Sequence, residues 1–314
     1  MTARCPMVSV IILNLAARRA LLECVASLAE VDYGNFDILV VHNGAEDKTL
    51  EKEIRAVSGR VTEVLFSGFN AGFAAGNNIG IRCAMERDVD YILLLNDDTV
   101  AAPDFLRLLV EEGERNQAAG MLGPKVYCFD DRRRISFAGA KFDSVTVNFF
   151  SLGSDEYDSG EPAGAPFESD YIAGCALLVK RAVAEKIGLL DEGFFLYWED
   201  TDWGLRAKKA GFFNFVVPAS RIWHKVSASS GGMDSLIRIY HKTRNHLLMA
   251  KLHAPKALPK LHIQFIRDIA WLLFKSDDTN RFKKACAYIA AIKDYHKGKT
   301  DKGPQWIWNG YDKN

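Results

Sequence analysis

Apolar, β-branched runs that each stop in a polar cluster, with amphipathic stretches between them, constrain this chain more than any other feature. Val8-Ser9-Val10-Ile11-Ile12-Leu13 is a run of the kind buried in parallel sheets, and Arg18 to Ala29 follows it as an amphipathic helix. Phe36 to Val41 is a second such strand, ending at His42-Asn43-Gly44 before a helical stretch from Ala45 to Val57. Val61 to Phe66 runs into a Gly/Asn-rich loop and a helix near Asn77 to Arg87. Tyr91-Ile92-Leu93-Leu94-Leu95 then stops at Asn96-Asp97-Asp98. This alternation predicts a doubly wound α/β domain whose mostly parallel central sheet is flanked by helices, with ligands at the carboxyl ends of the strands. The polar clusters lie where that rule puts a ligand.

Residues 130 to 170 are rich in Gly, Ser, Asp and Pro, and Gly153 to Pro166 reads as a mobile loop, either a lid or an insertion. A strand-like run at Ile172 to Val179, a helix at Arg181 to Ile187 and a strand at Phe213 to Val217, before Pro218, complete the domain. From about Met233 the pattern is helical, including Ile263 to Phe274 and Arg281 to Lys293, with Lys, Arg and aromatic residues interleaved. The expected division is a catalytic domain over residues 1–230 and a basic helical extension over residues 231–314.

With 40 Lys+Arg against 40 Asp+Glu, the chain has no overall field that would favour nucleic acid. The charge is unevenly placed: residues 251–314 hold 13 Lys/Arg and 6 Asp, a local excess of +7. Six cysteines without a Cys-x-x-Cys pair fit free thiols in a reducing compartment. The start of the chain has no signal-peptide layout, and no apolar run reaches the roughly 18 to 20 residues that span a bilayer. A cytoplasmic protein is expected. Its basic, aromatic tail could contact the inner face of the cytoplasmic membrane, or serve as a dimer interface or an ordinary helical subdomain.

Three clusters carry chemistry. At Asn96-Asp97-Asp98, carboxylates at a strand end can hold a hard cation against diphosphate oxygens; an acidic turn before the helix at Phe105 to Glu112 is the plainer reading. Glu199-Asp200-Thr201-Asp202 lies among Phe194, Phe195, Tyr197, Trp198 and Trp203. Spacing assigns Asp202 and Arg206 to a helical ion pair, leaving Glu199 or Asp200 to cap a helix or to act as a general base in apolar company. His224, at a strand end, either completes a metal site or is a half-buried structural imidazole. Asn70 to Gly80 offers flexible backbone and amide groups suited to a diphosphate or a base, although its glycines miss the dinucleotide-binding spacing.

Taken in order over residues 7 to 250, these segments resemble family 2 glycosyltransferases, in particular the bacterial rhamnosyltransferase-like branch. The likeness is carried by Val8 to Asn14, Val40 to Gly44, Asn70 to Gly80, Leu95 to Thr99, Ile172 to Arg181, Ile187 to Glu192, Phe195 to Arg206, Val217-Pro218-Ala219, Trp223-His224 and Tyr240 to Asn245. It implies a GT-A, Rossmann-like fold and an inverting transfer from a nucleoside-diphosphate sugar to a glycan or lipid-linked glycan in surface polysaccharide synthesis. dTDP-L-rhamnose is the first candidate donor, and UDP-galactofuranose or another UDP-hexose its rival.

The resemblance also implies roles. Asn96 and Asp98 match the outer positions of the family's Asp-x-Asp motif, and a divalent cation, Mn2+ or Mg2+, would sit on Asp98 and His224. Asn14, Asn43, Asn70, Gly72, Asn77, Asn96, Asp97 and Asp98 would surround the nucleotide sugar. Asp200 would be the base, Glu199 would position base or acceptor, and Trp198 would stack on the acceptor sugar. The departures gather near the nucleotide base: Leu15 and Ala16 replace a usual Tyr-Asn, His42 a common Asp and Ala45 a common Ser. Those changes motivate the competing class, a nucleotide- or glycan-binding protein without turnover.

Overall fold

The computed structural model describes residues 5–159, 164–225 and 235–309. Strands β1 (Val8–Asn14), β2 (Phe36–His42), β3 (Val61–Phe66) and β4 (Tyr91–Asn96) are joined by helices α1 (Arg18–Ala29), α2 (Lys48–Val57) and α3 (Gly72–Met85). β5 (Thr99–Ala101) and α4 (Phe105–Arg115) lead into β6 (Ala119–Cys128), a strand that the sequence reading lacks. Short strands β7 (Ile135–Phe137), β8 (Ala140–Asp143), β9 (Asn148–Ser151) and β10 (Phe167–Ser169) occupy the Gly/Ser-rich middle, where part of the expected mobile loop, residues 160–163, lies outside the described residues. β11 (Ala176–Lys180), α5 (Arg181–Ile187), α6 (Glu199–Lys209) and β12 (Phe213–His224) follow. The tail is α7 (Leu236–His253), α8 (Leu258–Phe274) and α9 (Arg281–His296). The expected domain boundary at 230/231 also lies outside the described residues.

The main sheet has the order β10-β12-β6-β11-β4-β1-β2-β3, with β5 on β12 and β7 on β6. β3, β2, β1 and β4 are mutually parallel, and β6 and β12 run parallel to each other; β11 lies antiparallel between β4 and β6. The chain moves outward from β1 to β3 and returns to β4 on the other side of β1. That reversal opens a crevice at the carboxyl ends of β1 and β4, where ligands of doubly wound sheets bind.

Side-chain alternation divides the core into two layers. Val8, Val10 and Ile12 pack with Leu21, Val25 and Leu28 of α1, while Ile11 packs on the opposite face with Ala74, Ile81 and Ala84 of α3. α3 begins at Gly72, five residues before the expected start, because its glycines serve close packing and not flexibility. A Cβ at Gly76 would lie 2.6 Å from Leu13 Cδ1, and one at Gly80 would lie 2.5 Å from Ile11 Cγ2. β12 likewise continues past Pro218, through a register irregularity between Val217 and Arg221. Such an irregularity accommodates a residue without an amide hydrogen, and the strand reaches His224.

The close α3–sheet packing gives the first test. Gly80→Val is expected to lower the unfolding free energy by about 2 to 3 kcal/mol in urea titrations, because Ile11 and Val41 leave the added methyl groups no room.

Candidate active site

β4 ends at Asn96, and the chain turns through Asp97 and Asp98 into β5. Antiparallel pairing of Thr99 with His224, and donation from the Lys225 amide to the Asp98 carbonyl at 2.9 Å, bring the end of β12 onto this turn. Asp98 is 3% exposed, and its Oδ1 accepts no hydrogen bond. His224 Nε2 stands 2.9 Å from that oxygen, close but without hydrogen-bond alignment, and Asn96 Nδ2 is 3.4 Å from the same nitrogen. Buried carboxylate oxygens ordinarily have partners. Two donor atoms about 3 Å apart have the spacing of neighbouring ligands on one hard cation, each about 2.1 Å from it. Among the described residues no group of three or more His, Cys, Asp or Glu could hold a metal ion. Asp98 and His224 could therefore hold a divalent cation only as two ligands among several, the others being water or phosphate oxygens.

Beside this pair, Asn14 Nδ2 donates to Asp97 Oδ2 at 2.7 Å, and Asn14 Oδ1 lies 2.9 Å from His42 Nδ1. Burial, and then the charge of Asp98, push the Asp97 carboxyl up to about 7. Burial lowers the His42 imidazole, which favours its neutral form. Asn43 donates to the Gly72 carbonyl at 3.1 Å and to Asn70 Oδ1 at 3.3 Å, and its own Oδ1 accepts from the Ala71 amide at 2.9 Å. Asn14, Asn43, Asn70, Asn96 and Asp97 thus converge at one end of the sheet. Asn77 is placed inside α3, 1% exposed, with its amide on the Phe73 carbonyl at 3.0 Å.

The second cluster rests on an unusual turn. Phe195, Tyr197 and Trp198 have φ of 62°, 69° and 79°, left-handed values that cost side-chain-bearing residues on the order of 1 kcal/mol or more each. Asn245 of α7 holds this turn: its amide nitrogen donates to the carbonyls of Phe194 at 2.7 Å, Leu196 at 2.8 Å and Tyr197 at 2.8 Å. Arg244 adds donations to Phe194 at 2.7 Å and Gly193 at 3.3 Å. The Phe195 carbonyl faces the other way and accepts from the Phe73 amide at 2.6 Å, closing the first turn of α3. Gly72, with φ of 86°, meets that carbonyl so closely that a Cβ would lie 2.5 Å from its oxygen.

α6 starts directly after this turn, which fixes Glu199 and Asp200 in its first turn. Asp200 Oδ2 accepts from the Gly174 amide at 2.8 Å, and Oδ1 accepts from the Thr201 amide at 2.7 Å and hydroxyl at 3.1 Å. Burial raises the Asp200 pKa against the opposing effect of these donors. Glu199 is buried with Oε2 unpartnered; burial and the charge of Asp200 hold its pKa well above the ordinary range. The Trp198 ring stacks on His246 at 4.9 Å and meets Phe149 of β9 at 5.7 Å, so the middle of the chain supplies a wall beside these acids. The structural role expected for Asp202 and Arg206 holds: the pair is 2.7 Å apart, and Arg206 also donates to the Ile187 and Leu189 carbonyls.

Lys242, one turn before Asn245, belongs to the Tyr240 to Asn245 segment but has no role assigned from the sequence. Its Nζ lies 5.6 Å from the centre of the Tyr197 ring, and burial, aided by Arg238, pushes it down to about 8. Arg244 and Asn245 were visible as part of a motif, but a polar pair on a helix carries no local sign of what it holds.

Residues 9–188 match the pattern described as Glycosyl transferase family 2. The chain belongs to that family. The dTDP-rhamnosyl transferase RfbF of Shigella flexneri is 24% identical over 293 residues, covering 88% of this chain and 92% of its own length. N-acetylglucosaminyl-diphospho-decaprenol L-rhamnosyltransferase of Mycobacterium tuberculosis is 25% identical over 247 residues, covering 73% of this chain and 79% of its own. Among solved structures, GalNAc-T7 with UDP, GalNAc and Mn2+ has a TM-score of 0.66 at 16% identity, covering 99% of this chain and 57% of that one, a likeness of fold. This glycosyltransferase therefore carries the GT-A fold that the family resemblance implied. The family match spans Asn14 to Gly174 and ends before Asp200, His224 and Asn245.

Asn245→Leu would remove the side-chain donor to the Leu196 and Tyr197 carbonyls and leave the Phe194 carbonyl with Arg244 alone. It is expected to lower the unfolding free energy by about 2 to 4 kcal/mol in urea; an unchanged midpoint would contradict the role assigned to this amide.

Proposed function

We propose that this glycosyltransferase moves L-rhamnose from dTDP-L-rhamnose to a hydroxyl of a glycan or lipid-linked glycan, with inversion at the anomeric carbon. The observation that carries the reading is the pairing of a hydrogen-bond-free Asp98 Oδ1 with His224 Nε2 at 2.9 Å, at the mouth of the β1/β4 crevice. The names of both sequence relatives support rhamnose as the sugar, and that of the mycobacterial one supports a lipid-linked diphosphate acceptor.

Asp98 and His224 would hold a divalent cation, Mn2+ or Mg2+, which when bound supplies positive charge against the departing nucleoside diphosphate. The Asn14–Asp97 pair, Asn43, Asn70 and Asn96 would line the donor end. A neutral His42 where relatives often have a carboxylate gives the base pocket a different polarity. Asp200 takes the proton from the acceptor hydroxyl as that oxygen attacks the anomeric carbon, and the bond from this carbon to the diphosphate oxygen breaks. The Gly174 and Thr201 donors hold the Asp200 carboxylate in place through the step. Glu199, next to the base in the first turn of α6 and held in its neutral form by burial, positions base or acceptor, and Trp198 forms the acceptor wall.

No helix among the described residues is long and apolar enough to cross a membrane. A lipid-linked acceptor would bring the enzyme to the cytoplasmic face of a membrane by peripheral contact.

Two measurements test the reading. Screening donors for nucleoside diphosphate release is expected to give turnover with dTDP-L-rhamnose; turnover with UDP sugars alone would overturn the choice of sugar. Asp200→Asn is expected to slow transfer by about 10²- to 10⁴-fold, and undiminished transfer would remove the assigned base. The pH dependence has a definite sign: activity needs ionised Asp200, so a pKa raised by burial moves the acid limb of kcat/KM above the usual aspartate value of about 4.

A further inference from the structure

α8 is apolar on two opposite faces, and only one of them is packed. Leu261, Phe265 and Leu272, at spacings of four and seven, are buried, and the first two belong to the tail's core. On the opposite side Lys260, Ile263, Arg267, Ala270 and Phe274 alternate at spacings of three and four, with Ile266 and Trp271 alongside, and all are exposed. The exposure is large: 63% for Ile266, 59% for Trp271 and 80% for Phe274. Across the turn that follows, α9 continues the pattern with exposed Phe282, Lys283 and Ile289. The acid of α8, Asp268, lies toward the packed side and is half-buried.

We infer that the outer face of α8, continued by the start of α9, is a membrane-docking surface for anionic lipid. An exposed stripe of large apolar and aromatic groups gains free energy by entering the headgroup–acyl boundary. Lys260, Arg267, Lys275 and Lys283 border it, and their long stems let the ammonium and guanidinium heads reach lipid phosphates while the apolar tips insert. Charge selects this occupant over a second copy of the chain. A twofold dimer through this face would set Lys260, Arg267, Lys275 and Lys283 against their own copies, whereas an anionic surface complements them. The surface is separate from the crevice at Asp98, and the inference does not depend on which sugar is transferred.

The test is co-flotation of the full chain with vesicles of equal parts phosphatidylcholine and phosphatidylglycerol, compared with phosphatidylcholine alone. Binding is expected to the anionic vesicles and to weaken with salt. Trp271→Ser/Phe274→Ser is expected to cut the partition coefficient by about tenfold or more. Its urea midpoint and its affinity for dTDP with Mn2+ should not change, because both side chains are exposed and outside the donor site. Val145→Ser, which removes a 64% exposed apolar residue from the β8–β9 turn, should leave flotation unchanged. Wild-type protein that does not float, a double variant that floats equally well, or a wild-type dimer in light scattering that the double variant disperses would each overturn the inference. None of these results would affect donor turnover, whose failure would be seen in solution without vesicles.

Discussion

The Asn245 amide is the interaction on which the active site depends. Three left-handed side-chain-bearing residues within a four-residue span are not a conformation that Phe-Leu-Tyr-Trp adopts unaided. The carbonyls of Phe194, Leu196 and Tyr197 are gathered onto one buried nitrogen from α7, and Arg244 takes those of Gly193 and Phe194. The same turn points the Phe195 carbonyl at the start of α3. One short segment therefore joins the helical tail, the first turn of α3 and the start of α6, and so fixes Asp200 relative to the β1/β4 crevice. α7 of the tail is thus tied by hydrogen bonds to the turn that leads into Asp200.

The other half of the site comes from strand register. β1 and β4 are paired so that Leu13 lies beside Asn96, and β1 and β2 so that Asn14 lies beside His42. Parallel pairing alone brings the donor-end side chains into one row. His224 arrives from far along the chain because β12 passes Pro218 with an irregularity and then pairs with β5. Asp98 and His224 are thus held by backbone hydrogen bonds, which leaves their side chains available for a ligand.

Much of this was legible in the sequence for a physical reason. Buried parallel strands must be apolar throughout, so the point where β1, β2 and β4 turn polar marks both the strand end and the ligand crevice. What was hidden depends on tertiary contact. β6 contains Gly120, Gly123 and Pro124, residues that argue against a central strand, yet it lies between β11 and β12. The glycines of α3 looked like a loop because their reason, the nearness of Ile11 and Leu13, lies on another element. Phe195 to Trp198 read as an aromatic cluster; nothing in those residues announces left-handed backbone, since the group that stabilises it is about fifty residues away in Asn245. Lys242 was hidden in the same way.

The donor site at Asp98 and His224 is the central claim, and a calorimetric titration of dTDP, with and without Mn2+, on the wild type and on Asp98→Ala tests it most directly. Binding that requires Mn2+ in the wild type and disappears in Asp98→Ala is the predicted result. Equal affinity without metal, or affinity unchanged by the substitution, would contradict a cation held between Asp98 and His224 and place the diphosphate elsewhere.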